Sequence, residues 1–212
     1  EIKQAFLATG MQRFFRCVAF EYLSLEGVTD AYVRDYTRTV GEEGYKSGPN
    51  NQFFGSLKRM SQYGRYAFLM EVDCVPLRRG WLSRLQQIIS SSEDFWILGS
   101  AYRGGETLAP TNTHHINGNA VYAVGDLGFQ QFVAEFWEPH TWRLIRENDK
   151  RLAYDCILGI MFSESNLQTP ELLKIWKDTA HLFRYSDYIQ NISAARDLAE
   201  TDAAADQQRA VG

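Results

Sequence analysis

Two carboxylates, Glu71 and Asp73, end an apolar run in the segment YAFLMEVDCVP, residues 66–76. A buried carboxylate without a partner costs free energy, so such groups usually lie at a strand's exit, paired or bound to a metal. Two residues apart at the end of a strand, they can point the same way. They would then suit a hard cation, Mg²⁺ or Mn²⁺, which prefers carboxylates together with substrate phosphates. Alternatively, they cap the following helix or pair with the arginines of LRRG.

The elements around this pair alternate between helix and strand, which indicates an α/β fold. Residues 66–72 are apolar on both faces, as in a central parallel strand. DFWILGS and GNAVYAVGD predict two further strands. In an open α/β sheet, ligands bind outside the carboxyl ends of the strands, which is where Glu71 and Asp73 would lie.

Apolar residues at helical spacing predict the helices. The segments concerned are residues 2–25, SGPNNQFFGSLKRM, PLRRGWLSRLQQIISS, GFQQFVAEFW and AYDCILGIMFSE. AYVRDYTR is ambiguous and could be an edge strand. The expected organisation is one domain over residues 1–195, followed by a polar, alanine-rich tail over residues 196–212.

The order of these segments resembles the GT-A family of nucleotide-diphospho-sugar glycosyltransferases. In that family a strand ends in a D-x-D-type motif that binds the metal and the donor's diphosphate; here the motif is EVD, and Asp73 is the safer ligand. The resemblance implies a GT-A-like (Rossmann-like) mixed, mostly parallel sheet flanked by helices. It also implies a first strand that binds the nucleotide base, and no clear candidate for that strand precedes the first helix.

HINGNAVYAVGD matches the glycine-containing segment that approaches the donor and acceptor sugars in the resembling family. His115, Asn117, Gly118 and Asn119 follow its order and chemistry. Gly118 would allow close backbone approach, and asparagine amides suit sugar hydroxyls. The alternative for NGN is a tight hairpin turn.

RLAYDCILG matches the acidic helix start that contacts the acceptor in the resembling family. Asp155 is the implied general base of an inverting member, and Tyr154 stands where many members have Glu. A carboxylate can take the proton of an attacking sugar hydroxyl, but Asp155 could equally be a helix N-cap. The resemblance also implies a metal-ligating histidine near the C-terminus. His181 is the candidate, its competitors are His114, His115 and His140, and a structural role is the alternative.

SGPNNQFF precedes the carboxylate strand by one helix. In the resembling fold this region lies near the nucleotide, so Ser47, Asn50 and Asn51 are candidate nucleotide-binding residues. A role in capping the helix explains the same residues. Trp137, Trp142 and Trp176 could stack on sugar rings, although packing in the core is the commoner role.

The bulk composition limits the classes of partner. The 212-residue chain has a net charge of −4 and no clustered basic face, so no nucleic-acid partner is expected. No apolar run reaches the roughly 20 residues that span a bilayer. Three cysteines indicate buried thiols, or one disulfide and one free thiol. The compartment stays open: cytoplasm and secretory lumen are both compatible, and the NIS sequon at Asn191 matters only in the second.

The favoured function is a metal-dependent transferase that moves a sugar from a nucleotide-diphosphate donor to an acceptor hydroxyl, with Mn²⁺ or Mg²⁺ as cofactor. A non-catalytic carbohydrate-binding or scaffold protein with a GT-A-like fold is the first alternative, and a metal-dependent nucleotidyltransferase the second. A phosphatase with an aspartate nucleophile fits less well, because Glu71 would be one methylene too long for that role.

Overall fold

The computed structural model describes residues 2–71, 74, 79–103, 115–163, 169–186, 188–189 and 191–192. Within these residues the chain forms seven α-helices and six short strands. The helices are α1 (Ile2–Ala8), α2 (Ser47–Met60), α3 (Trp81–Ser91), α4 (Leu127–Phe132), α5 (Glu138–Glu147), α6 (Tyr154–Met161) and α7 (Pro170–Thr179). A π-helical turn, Val133–Trp137, joins α4 to α5, so these helices form one continuous helical stretch.

The strands are β1 (Ala67–Phe68), β2 (Ile97–Gly99), β3 (Tyr102–Arg103), β4 (Val121–Tyr122), β5 (Phe183–Tyr185) and β6 (Asn191–Ile192). Four of them form a sheet in the order β1-β4-β2-β5, and β3 pairs with β6 in parallel. The α/β class is therefore confirmed.

The prediction of a mostly parallel sheet is wrong for the described residues. In the four-stranded sheet β4 is antiparallel to both of its neighbours, and only β2 and β5 pair in parallel. The strand predicted over residues 66–72 is also not central, because β1 is at the edge of the sheet and covers only Ala67–Phe68. A Rossmann-like arrangement remains a prediction.

The strand directions nevertheless bring together the segments that the sequence singled out. Strands β1, β2 and β5 run in one direction, and β4 runs against them between β1 and β2. The carboxyl ends of three strands therefore meet the amino end of β4 at one edge of the sheet. We call this edge the carboxyl edge. Two backbone hydrogen bonds lie there: Ser186 N–H donates to Gly99 O at 2.7 Å, and Asn117 N–H donates to Ser100 O at 3.0 Å.

Each face of the sheet is covered by helices. On one face, the helices α2, α4, α5, α6 and α7 pack around Tyr122 and Ile97. This larger core includes the fully buried Trp137. On the other face, a smaller cluster packs Leu85 of α3 against Leu98 and Val121. The site described below lies where the larger core reaches the carboxyl edge.

The amino-terminal segment differs from the prediction. Helix α1 ends at Ala8, a 3₁₀ turn covers Met11–Phe14, and the residues up to 26 have no helix. The segment at residues 31–38 forms no strand. No strand precedes β1 among residues 2–66, in agreement with the expectation that the first strand is missing.

The structure also shows where the cysteines and the tryptophans lie. Cys17 is an exposed free thiol and Cys156 a buried one, and the Cys74 thiol donates to Asn119. Trp137 lies in the core and Trp142 packs partly buried against it, while the half-buried Trp176 packs on the Phe162 ring with the centroids 4.7 Å apart. None of the helices in the described part of the chain is both long and apolar enough to cross a membrane. The predicted tail at residues 196–212 lies outside the described residues.

Candidate functional site

Three of the predicted motifs converge at the carboxyl edge. Glu71 follows β1, the segment from His115 to Asn119 precedes β4, and Asp155 lies in the first turn of α6. Direct hydrogen bonds link Asn119 to Glu71 and Gly118 to Asp155. Residues distant in the chain thus form one cluster, which we call the edge site.

Asn119 fixes the segment that carries Glu71. Its side-chain oxygen accepts a hydrogen bond from the Glu71 backbone N–H at 2.8 Å and another from the Cys74 thiol at 3.0 Å. Its side-chain nitrogen donates to the Glu71 carboxylate at 3.0 Å. Asn117 orients this amide, because its side-chain oxygen accepts bonds from the backbone and side-chain N–H groups of Asn119. Glu71 itself is exposed, whereas both asparagines are buried.

Gly118 allows the close approach that the sequence predicted, but the group that approaches is Tyr154. A Cβ atom at position 118 would lie 1.9 Å from the Tyr154 hydroxyl oxygen. The Tyr154 ring stacks on Phe53 with the centroids 3.6 Å apart. Tyr122 also contributes, since its hydroxyl donates to the Gly118 carbonyl at 2.7 Å. Burial raises the pKa of both tyrosines well above the ordinary value, so both phenols stay protonated at neutral pH.

Asp155 is the second residue of α6, and Ala153 rather than Asp155 is its N-cap. One Asp155 oxygen, Oδ1, accepts a hydrogen bond from the Cys156 backbone N–H at 2.8 Å. The other, Oδ2, accepts from Gly118 N–H at 3.3 Å and lies 3.5 Å from His115 Nε2. Cys156 Sγ lies 4.0 Å from the same His115 nitrogen. The His115 side chain is 1% exposed and that of Asp155 is 15% exposed, so the group opens to solvent only at the carboxylate.

His115 and Asp155 each stabilise the charged form of the other. Burial by itself lowers the pKa of His115, but the contacts with Asp155 and Cys156 outweigh burial and raise the pKa to about 10. Burial by itself raises the pKa of Asp155, but the contact with His115 and the Cys156 N–H outweigh it, so the pKa falls below the ordinary value. At neutral pH the pair is therefore an imidazolium facing a carboxylate.

The candidate nucleotide-binding residues occupy structural positions. Ser47 and Asn50 are fully buried. The Ser47 hydroxyl donates to the Val28 carbonyl. Asn50 accepts a hydrogen bond from the Tyr154 N–H at 2.9 Å, and Asn51 donates to the Thr29 carbonyl at 3.1 Å. These contacts bind other segments of the chain and do not cap α2, whose N-cap is Lys46 without a side-chain cap hydrogen bond.

His181, another predicted metal ligand, does not lie in the edge site. His181 is exposed and precedes β5. Because β5 is parallel to β2, its amino end lies at the sheet edge opposite Glu71. Asp73 and His114 lie outside the described residues. The His140 Nδ1–H donates to the Phe136 carbonyl in the same helical stretch, whereas His115 is the histidine that reaches the edge site.

The edge site offers two chemically different sets of ligands. Glu71 offers carboxylate oxygens, the hard donors that Mg²⁺ or Mn²⁺, the cations implied by the resemblance, prefer. His115, Asp155 and Cys156 offer nitrogen, oxygen and sulfur atoms, all within 4.8 Å of one another. Sequence reasoning missed Cys156 as a member of the site, although its position directly after Asp155 was visible.

Comparison with known proteins gives no further indication of identity. No family model matches the sequence, and neither the curated proteins nor the solved structures include a match to it. The proposals below therefore rest on the sequence motifs and on the geometry of the edge site.

Proposed function

We propose that the chain is a metal-dependent glycosyltransferase with a GT-A-like fold, which moves a sugar from a nucleotide-diphosphate donor to an acceptor hydroxyl. One observation carries the proposal: the three segments that resemble the family's metal, sugar and acceptor motifs are joined by hydrogen bonds at one sheet edge. The antiparallel register of β1 and β4 brings Glu71 to the Asn119 segment, and the close packing of Tyr154 on Gly118 brings Asp155 there. Their meeting supports a common function.

In this proposal Glu71 and Asp73 hold Mn²⁺ or Mg²⁺ against the donor's diphosphate. When bound, the cation neutralises the charge that develops on the leaving diphosphate. Asn119 holds Glu71 in place, and Asn117 orients the Asn119 amide. Glu71 is hydrogen-bonded to Asn119, which directly follows Gly118 in the chain. The diphosphate and the sugar would therefore lie side by side.

Asp155 is the proposed general base for the acceptor hydroxyl. A base must carry no proton before it acts, and the lowered pKa of Asp155 keeps its carboxylate ionised at neutral pH. Its side chain also retains some exposure to solvent, so an acceptor hydroxyl can approach it. His115 then stabilises the charged state of Asp155 before the acceptor binds.

The test measures release of UDP or GDP from a panel of UDP-linked and GDP-linked sugars, with Mn²⁺ and simple sugars as acceptors. We expect release that requires Mn²⁺, is lost in Glu71→Gln, and falls by roughly 10²-fold or more in Asp155→Asn. Glu135→Gln is the matched control, because Glu135 is an exposed glutamate on the helical stretch between α4 and α5. Release that persists unchanged in both Glu71→Gln and Asp155→Asn would contradict the proposal.

A non-catalytic, carbohydrate-binding role is the second candidate. It is favoured by the lack of any strand before β1 among residues 2–66, because the resembling family binds the nucleotide base there. The same panel separates the two candidates. A sugar nucleotide or free sugar that binds without any release of nucleotide would favour the binding role.

A further inference from the structure

We propose that His115, Asp155 and Cys156 form a second metal site, selective for a borderline transition-metal ion of which Zn²⁺ is the representative. The site is chemically distinct from the oxygen donors at Glu71 and Asp73. Its ligand atoms are an imidazole nitrogen, a carboxylate oxygen and a thiolate sulfur. Zn²⁺ takes this combination in proteins, whereas Mg²⁺ and Mn²⁺ favour oxygen ligands alone.

The two separations measured from His115 Nε2 are close to those around one metal ion. With ordinary zinc–ligand bond lengths, tetrahedral geometry separates nitrogen from oxygen by roughly 3.3 Å and nitrogen from sulfur by roughly 3.5 Å. The observed separations are 3.5 Å for His115 Nε2 to Asp155 Oδ2 and 4.0 Å for His115 Nε2 to Cys156 Sγ. Shifts of a few tenths of an ångström would therefore bring the atoms to metal-binding distance. In the metal-free chain the contact between His115 and Asp155 is an ion pair, so a bound ion would displace the imidazolium proton and the Cys156 thiol proton into solvent.

The ligands are held on firmly anchored backbone. Asp155 and Cys156 are adjacent in the first turn of α6, whose first N–H group is bonded to the buried Asn50. The Trp137 indole donates to the Tyr154 carbonyl at 3.0 Å and fixes the same turn from the other side. Asp155 itself is oriented by the N–H groups of Gly118 and Cys156. This second layer of hydrogen bonds is the support that metal ligands need to keep their orientation.

The same geometry argues against a catalytic cysteine–histidine–aspartate arrangement. In such an arrangement the nucleophile and the orienting acid use the two different nitrogens of the imidazole ring. Here both Asp155 and Cys156 lie nearest to Nε2 of His115. Cys156 is also only 8% exposed, so its sulfur is poorly placed to attack a substrate.

A bound ion would use the carboxylate that the proposed general base needs. Zn²⁺ is therefore expected to inhibit the sugar transfer described above; this consequence, unlike the metal site itself, rests on the proposed function.

The test is a titration of the chelator-treated, folded chain with Co²⁺, followed by displacement with Zn²⁺. We expect one Co²⁺ per chain and an absorption band from charge transfer between thiolate and cobalt. Zn²⁺ should abolish the band and raise the melting temperature. Cys156→Ser should lose the band and weaken Co²⁺ binding at least 10-fold. Cys17→Ser should behave like the wild type, because Cys17 is an exposed free thiol outside the site.

The choice of variants keeps the outcome clear even if one of them folds poorly. Circular dichroism checks the fold of each variant, and His115→Gln removes the nitrogen ligand independently of the sulfur. The proposal is overturned if the folded wild type takes up no Co²⁺ or shows no thiolate band. It is also overturned if Cys156→Ser and His115→Gln both bind Co²⁺ as the wild type does. Neither result depends on whether the chain transfers sugar.

Discussion

The hydroxyl group of Tyr154 occupies the space in which a side chain at position 118 would begin. Gly118 donates its N–H to Asp155 and accepts a bond from Tyr122 through its carbonyl. The glycine thus places its backbone between a carboxylate and a phenol. A glycine is required here by close packing, since its backbone does not have a positive φ angle.

Gly118→Ala should destabilise the chain by about 1–3 kcal/mol, the usual cost of overpacking. The added methyl group would meet the Tyr154 hydroxyl at 1.9 Å and the ring carbon Cζ at 2.8 Å, and the stacked Phe53 limits how far the ring can move. Urea unfolding measures the change. Tyr154→Phe should recover part of the loss, because it removes the nearer of the two atoms.

The control for this substitution is Gly41→Ala. A Cβ atom at Gly41 would have no neighbour within 4 Å, so its free energy of unfolding should change by less than about 1 kcal/mol. Equal stability of Gly118→Ala and wild type would show that the contact between Gly118 and Tyr154 is wrong.

At the scale of elements, helix α2 holds the start of helix α6. The N-cap of α6 is Ala153, which has no side chain able to accept a hydrogen bond. Asn50 of α2 supplies that acceptor to the Tyr154 N–H from 104 residues away in the chain, and donates to the Leu152 carbonyl at 3.4 Å. The position of Asp155 therefore depends on helix α2, which also stacks Phe53 on Tyr154.

Asn50→Ala should cost roughly 1–3 kcal/mol of unfolding free energy, because it leaves the buried Tyr154 N–H without an acceptor. It should also speed amide exchange at Tyr154. Gln52→Ala is the matched control, since Gln52 is exposed on the same helix, and it should stay within about 0.5 kcal/mol of wild type. Slow exchange at Tyr154 in Asn50→Ala would contradict the capping role.

The sequence predicted some elements better than others, for physical reasons. Helix α2 matches SGPNNQFFGSLKRM at both ends, because its apolar residues form one stripe and Pro49 marks its first turn. The direction of β4 was missed, since apolar runs do not encode strand direction. The helix predicted over residues 2–25 ends at Ala8, near Gly10, whose left-handed conformation (φ +68°) interrupts the helix.

At the scale of the whole molecule, the amino-terminal segment packs on the rest through backbone contacts. Tyr45 N–H donates to the Lys150 carbonyl at 2.8 Å, and Gly48 N–H to the Ala31 carbonyl at 2.8 Å. These contacts surround the start of α2 and the loop before α6. The irregular segment thereby supports the two helices that position Asp155.

The candidate site was predictable in part. Short motifs in the right order indicated that Glu71, Asn119 and Asp155 act together, and hydrogen bonds join their segments in the fold. The burial of Ser47 and Asn50 was not predictable, because polar residues at a helix start suit a pocket and a core contact equally well. His181 was misplaced as a site residue for a similar reason: the position of a lone histidine depends on strand order.

The central claim is that the carboxyl edge binds a nucleotide diphosphate through a divalent cation. The most direct measurement is calorimetric titration of UDP and GDP into the full chain, with and without Mn²⁺, for the wild type, Glu71→Gln, Asp73→Ala and the control Glu135→Gln. The account predicts binding of one nucleotide that requires Mn²⁺, is lost in Glu71→Gln and Asp73→Ala, and is unchanged in Glu135→Gln. Nucleotide binding that is independent of Mn²⁺, or no binding of either nucleotide by the folded chain, would contradict it.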